Sequence, residues 1–221
     1  MPLRLRPTAP IAADAVLVGD PGRALMLAQA LLEEPKMSNH ARGLWGYSGR
    51  TPGGKELTIQ ATGIGGPSAA LVLTDLAELG VRRAIRVGTC TALGPELQPG
   101  ELLAITEAHS WSGPGGGTGE QVFPDPGLTA GLRRQLGTAA RGATVASLDA
   151  PHVGSAPAPV AAGDAADMQT AALLARGASL GIAVAAVLIV SEAASGASLD
   201  DDGAELAAKA AGNAAARVLS A

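Results

Sequence analysis

Aromatic side chains are scarce: Trp45, Tyr47, Trp111 and Phe123 are the whole set in 221 residues. A surface that stacks nucleic-acid bases needs more of them, more closely spaced. Cys90 is the single cysteine, which excludes an internal disulfide and any cysteine-rich zinc site. His40, His109 and His152 are scattered with no HxH or HExxH spacing, so no metal site is expected. Charged residues make up 16%, and the acids outnumber the bases to leave a net charge of −4. There is no basic field for a phosphodiester backbone, so no nucleic-acid partner is expected. The longest apolar run, residues 181–190, is too short to cross a bilayer. The basic start, Met1 to Pro7, meets Pro10 and Asp14 before a signal-type apolar region forms. The expectation is a protein with no targeting segment and no membrane partner, kept in the reducing cytoplasm.

What is present is apolar bulk. Hydrophobic residues make up 47% of the chain, and 30 glycines with 15 prolines punctuate it without reaching low complexity. The length suits one domain over residues 1–221, large enough to bury a core without covalent staples. Much apolar matter with little charge to solvate it fits a layered α/β domain or an obligate oligomer.

The pattern along the chain alternates strands with helices. Ala15 to Val18 reads as a strand that stops at Gly19-Asp20-Pro21, and Pro21 suits the first position of the helix that follows. Residues 47–50 and 56–61 flank Pro52-Gly53-Gly54 as a hairpin. A glycine-rich turn, residues 62–66, leads into a helix over 67–79 that Gly80 closes. Strands are predicted at 84–88, 101–106, 143–148 and 182–190, and helices at 128–136 and 165–180. Residues 112–119 and 150–163 read as loops. Asp200, Asp201 and Asp202 suit the start of a last helix, with Leu206, Ala210, Ala214 and Val218 as its apolar face. Together these predict an α/β domain: three layers, with a central mixed β-sheet flanked by helices.

Four segments carry chemical potential. Gly19-Asp20-Pro21-Gly22-Arg23 joins a strand to a helix, so backbone N–H groups and the Arg23 fork can receive an anion. The plainer alternative is an ordinary turn with a surface arginine. Arg86 interrupts the apolar strand Ile85-Arg86-Val87-Gly88, and Thr89 follows at the carboxyl edge, where α/β sheets bind ligands. The alternative is an arginine paired with a core carboxylate. Gly63-Ile64-Gly65-Gly66 lacks the full dinucleotide spacing, so it reads as a tight turn allowing close approach. Ser191-Glu192 ends the most apolar strand. A carboxylate on a dry wall there has its pKa raised toward general-acid use; the alternative is a surface glutamate at a loop start. Cys90 reads as a small hydrophobe rather than a nucleophile.

These segments, in this order, resemble the nucleoside phosphorylase family that includes hexameric purine nucleoside phosphorylases and uridine phosphorylases. The similar stretches are Gly19 to Arg23, Arg42 to Gly49, Gly63 to Ala69, Arg86 to Cys90, Asp167 to Ala171 and Val190 to Glu192. The resemblance implies phosphate-dependent cleavage of a nucleoside's N-glycosidic bond, giving a free base and a (deoxy)ribose 1-phosphate. It implies a phosphate site at Gly19, Arg23, Arg42, Arg86 and Thr89, with Arg86 and Glu192 as catalytic residues. It places the sugar at Met168 and Gln169, and the base beside Cys90, Thr91, Ala166 and Glu192. Phosphate is a co-substrate, with no cofactor or metal required. It also implies a homo-oligomer, a dimer unit or hexamer, in which Arg42 completes a neighbour's phosphate site; Trp45 and Tyr47 nearby suit an interface.

The sequence departs from the family pattern at several points. Gln169 stands where the family has its ribose-binding carboxylate, and Glu192 where its general acid is an aspartate. Lys209 is the nearest cation to the usual helper arginine of the last helix. Ala150-Pro151-His152 replaces the aromatic residues over the base, and Arg4 or Arg6 replaces the family's N-terminal histidine. The Gln-x-Arg pair that reads uracil is missing from residues 151–163, so Glu192 tilts the expectation toward purines. A uridine phosphorylase, a nucleosidase and a non-catalytic nucleoside-binding homologue are the alternatives.

Overall fold

The structure, a computed structural model, describes residues 4–112, 117–150 and 163–221. Among the described residues, ten strands form one sheet: β1 (Asp14–Val18), β2 (Glu33–Asn39), β3 (Gly46–Arg50), β4 (Glu56–Ala61), β5 (Arg83–Ala92), β6 (Leu102–Ser112), β7 (Gly117–Val122), β8 (Ala140–Leu148), β9 (Ala165–Asp167) and β10 (Ala183–Glu192). Five α-helices among the described residues cover it: α1 (Pro21–Leu31), α2 (Gly66–Glu78), α3 (Pro126–Leu136), α4 (Thr170–Leu180) and α5 (Asp201–Ser220). β1 lies parallel between β4 and β5, and β2, β3 and β4 form an antiparallel meander beyond it. On the other side β5, β10, β6, β8 and β9 pair in turn until β9 meets β5 again, so this half of the sheet closes on itself. Among the described residues, no helix is long and apolar enough to cross a membrane.

Strand alternation builds two cores from apparently unbroken apolar runs. Successive side chains of a strand point to opposite faces. In β10, Val184, Ala186, Leu188 and Val190 join the core under α2 and α4, while Ala185, Val187 and Ile189 join the core under α1, α3 and α5. β1 divides the same way, Ala15 and Leu17 against Val16 and Val18. The expected layering of helices around a mixed central sheet is therefore what the chain adopts.

Several local readings need correction. Residues 165–167 are strand, not helix, because their backbone pairs with β5 and β8 at once; α4 starts only at Thr170. Residues 117–122 form β7 against β6, whereas a loop was expected to run to residue 119. The expected loop at 150–163 and its Pro151 and His152 lie almost wholly outside the described residues, as do residues 113–116. β2 was not expected: Glu33-Glu34-Pro35-Lys36 has no strand pattern, and it pairs with β3 through shifted registers at the sheet's edge, where proline is tolerated. α5 buries the expected Ala214 and Val218 together with Ala207, Ala208, Ala211, Ala215 and Leu219, but leaves Ala210 exposed and Leu206 72% exposed. Tyr47 is buried in the core beside α1 and is unavailable to an interface.

Candidate active site

The carboxyl ends of β1, β4, β5 and β10 open onto one cleft of about 740 Å³. Its first wall is the turn after β1. Asp20 caps α1 by accepting the Arg23 N–H at 2.6 Å, and Pro21 fills the first helical position, where its missing N–H costs nothing. Gly19 and Arg23 line the cleft from here. Among the described residues, the Arg23 guanidinium has no hydrogen-bond or ion-pair partner. Burial pushes it below its ordinary value; the Asp20 carboxylate opposes that, and the positive charge of Arg86 adds to it.

The floor is β5. Arg86 falls on the α2 and α4 side of the sheet, where strand alternation would otherwise put an apolar side chain. It is buried, and a closed network holds it: Nη2 donates to Asp167 Oδ2 at 3.0 Å, Nη1 to Gln169 Oε1 at 2.6 Å and Nε to Thr170 Oγ1 at 3.1 Å. The expected alternative, an arginine paired with a core carboxylate, is therefore realised, and the same guanidinium still lines the cleft. A guanidinium has five N–H groups, so two remain for a ligand. Gly88 makes the arrangement possible: a Cβ there would meet Arg86 Cζ at 2.5 Å. Thr89 and Thr91 continue the floor, half-buried. Cys90 between them is buried, and desolvation, reinforced by Asp167, pushes its thiol up to about 12, which suits a packing residue.

The second wall joins the glycine-rich turn to β9 and the start of α4. Gly63 and Gly65 take positive φ of 73° and 83°, which side chains with a Cβ rarely adopt. Gln169 ties that turn to Arg86: its Nε2 donates to Gly63 O at 2.5 Å and Gly65 O at 3.4 Å, and its Oε1 also accepts from Thr62 Oγ1 at 3.2 Å. Gln169, expected to contact the sugar, lines the cleft, with its side chain largely buried and bonded to protein. Asp167 is fully buried and also accepts from Ser147 Oγ and from the Thr170 N–H and hydroxyl. Met168 and Ala166 complete this wall.

Glu192 closes the far end, beside Thr91 after a bulge in β10. It is exposed, so the dry wall expected around it is absent; β10 is buried only as far as Val190. Lys209 pairs with Glu205 on α5 instead of assisting Glu192. Arg4 is equally committed: it pairs with the buried Asp75, which also accepts from the backbone N–H groups of Arg4 and Leu5. Arg42 is exposed, on a left-handed backbone (φ 60°) in a short turn at 41–43, and does not line its own chain's cleft. Sequence reasoning overlooked Asp167, Thr170, Ser147 and Thr62. Asp167 was visible, but reading it in the first turn of a helix concealed the buried carboxylate that Arg86 requires. Among the described residues, no group of three histidine, cysteine or acidic side chains is placed to hold a metal.

Comparison with known proteins bears on the family and the fold. A family model described as the phosphorylase superfamily matches residues 14–221. The chain belongs to that superfamily. A superfamily relative, the purine nucleoside phosphorylase DeoD-type of Caldanaerobacter subterraneus subsp. tengcongensis, is 37% identical over 101 residues, covering 45% of this chain and 43% of that protein. The protein of the same description from Chromobacterium violaceum is 40% identical over 100 residues, covering 44% and 42%. The chain thus spans under half the length of the curated relatives it matches. Among solved structures, uridine phosphorylase from Vibrio fischeri ES114 superposes with a TM-score of 0.82 at 21% identity, covering 95% of this chain and 92% of that one. A uridine phosphorylase of Phytophthora capsici gives 0.85 at 21% identity, covering 98% and 93%. At such identity these two speak to the fold, a mixed sheet flanked by helices.

Proposed function

We propose that this phosphorylase-superfamily protein is a nucleoside phosphorylase, using inorganic phosphate to cleave the N-glycosidic bond of a purine nucleoside. The observation that carries the reading is the charge distribution along one cleft. The unpartnered Arg23 and the network-held Arg86 stand at one end, and the Glu192 carboxylate stands at the other. Between Arg86 and Thr91, β5 rises about 17 Å at some 3.3 Å per residue, room for phosphate, pentose and base in line.

In this reading Gly19, Arg23, Arg86 and Thr89 bind phosphate, and Arg42 of a neighbouring copy completes the site. A phosphate oxygen attacks the anomeric carbon as the carbon–nitrogen bond breaks, and the bonding electrons leave with the base. Charged, prepositioned donors stabilise the transition state without a covalent intermediate. Glu192 delivers a proton to the purine N7, and Thr91, Cys90 and Ala166 flank the base. The exposure of Glu192 favours a second reading, in which the same anion site serves a uridine phosphorylase and this carboxylate transfers no proton.

A nucleoside panel with and without phosphate, read by product chromatography, tests the proposal. The expected result is sugar 1-phosphate in phosphate buffer and no base release without phosphate. Equal release in both buffers would establish hydrolysis and sink it.

A further inference from the structure

Arg42 is an outlier with nothing of its own chain to hold. Its backbone is left-handed (φ 60°, ψ 19°), a form that glycine or asparagine ordinarily supplies. Its exposed guanidinium has no hydrogen-bond or ion-pair partner among the described residues. Two side-chain amides clamp the turn that carries it. Asn39 Nδ2 donates to Leu44 O at 2.5 Å and Ala41 O at 3.3 Å. Gln60 Nε2 donates to the same Leu44 O at 2.9 Å and to Ala61 O at 2.8 Å. Asn39 Oδ1 accepts the Arg6 N–H at 2.8 Å, which ties the clamp to the N-terminal segment. Both amides are buried, and Gln60 Oε1 has no partner among the described residues. An unused buried acceptor is destabilising, so the donor end is what this position retains. Leu44 packs against the glycine-rich wall of the cleft: a Cβ on Gly63 would lie 3.2 Å from Leu44 Cδ2. The clamp thus fixes the turn against that wall, with Arg42 itself outside its own chain's cleft.

We infer that Asn39 and Gln60 are positioning residues for the phosphate site of a neighbouring copy; this rests on the function proposed above, in which Arg42 completes that site. Neither amide touches phosphate. Both act through Arg42, by keeping the carbonyls that bracket it turned inward so that the residue stays left-handed and its side chain projects outward. A turn with only a structural task has no reason to keep a charged, unbonded arginine at a left-handed position, where glycine is unstrained. A guanidinium on a loose turn would have to be ordered at each binding event, and one held in place does not. The clamp must also be neutral, because a carboxylate at either position would face carbonyl oxygens in the interior.

The test uses the intact protein and inorganic phosphate. Arg42→Ala should raise the phosphate KM by about tenfold or more, the loss expected for one charged hydrogen bond, with the nucleoside KM little changed. Asn39→Asp keeps the acceptor for Arg6 but turns an oxygen toward the carbonyls of Ala41 and Leu44, and should raise the phosphate KM by a similar factor. In an Arg42→Ala background the same substitution should change it no further. Subunit mixing gives the direction. Arg86→Ala chains co-assembled with Arg42→Ala chains should regain activity. Asn39→Asp should abolish that regain when placed on the Arg86→Ala chain, which supplies Arg42, and not when placed on the other. An additive effect in the double variant, or equal loss from either placement, makes the clamp a general prop and overturns the inference while phosphorolysis stands. No regain on mixing also overturns it, since Arg42 then serves no neighbour. Cleavage that ignores phosphate removes the proposed reaction; calorimetric phosphate titration then decides, and equal affinity in Asn39→Asp and the unmodified protein overturns the inference. Gln60→Met, which removes a donor and adds no charge, carries the same readouts should Asn39→Asp fail to fold.

Discussion

Replacing Gly88 by alanine tests the site through one methyl group. The added Cβ would lie 2.5 Å from Arg86 Cζ and Nη2 and 2.9 Å from Nε, well inside contact distance. Gly88 has no positive φ, so the substitution strains no backbone and its whole cost comes from that collision. Arg86 must then leave its pocket, breaking its bonds to Asp167, Gln169 and Thr170 and stranding a carboxylate that is fully buried. Breaking a buried ion pair costs about 3–5 kcal/mol. For a domain of this size each kcal/mol lowers Tm by about 2–4 °C, so a fall of roughly 6–20 °C is expected. Losing a preorganised charged donor should also lower phosphate-dependent turnover by about 10²-fold or more, as in Arg86→Ala. The two substitutions should be strongly non-additive, because once Arg86 is gone the methyl has nothing to strike. Thermal denaturation of both single variants and the double variant, with phosphate kinetics, reads all of this. A Gly88→Ala protein that melts with the unmodified one and keeps its phosphate KM would refute the account of how Arg86 is held.

In Glu192→Gln, inosine cleavage should fall by about 10²-fold while 7-methylguanosine, whose base needs no proton, is spared; equal slowing of both, or uridine far outpacing inosine in the unmodified protein, removes the proton-donor role. The Cys90 thiol, pushed up to about 12 from 9.0, is neutral at ordinary pH, so iodoacetamide at pH 8 should label it only in denaturant. Because its folded value is the higher one, its stabilising contribution is complete below about pH 9 and is lost as pH rises toward about 12, which denaturant titrations across that range would register. Gly212→Ala places a Cβ 2.6 Å from Leu27 Cδ2, where α5 crosses α1, and should cost about 1–3 kcal/mol, whereas Leu206→Gln on the exposed side should change stability by under about 0.5 kcal/mol; chemical denaturation compares them.

Periodicity made the layered fold legible. The runs that became β1, β4 and β10, and the helices opened by Pro21 and Pro67, stood where the pattern put them. Interactions distant in sequence were not legible. β2 is a strand only because β3 runs beside it, and Ala165-Ala166-Asp167, helical by local composition, is extended because two strands flank it. In the cleft, Arg86 announced itself as a charge in an apolar strand, but its partners lie 81 to 84 residues away. Glu192 shows the opposite failure. An apolar run said nothing about where burial ends, and the bulge after Val190 carries the carboxylate into solvent.

The ring of strands from β5 through β10, β6 and β8 back by way of β9 has a consequence for how copies of this chain behave when crowded. A ladder that returns to its start offers no unsatisfied row of N–H and C=O groups to a stranger. The sheet's terminal rungs among the described residues are β2 and the appended β7. Of these, β2 opens with Glu33, Glu34, Pro35 and Lys36, and its register against β3 slips twice. Charge, a missing donor and an irregular rung are what discourage edge-to-edge growth. The stretch with the weakest strand signal in the sequence thus occupies the position where a stronger one would be a hazard.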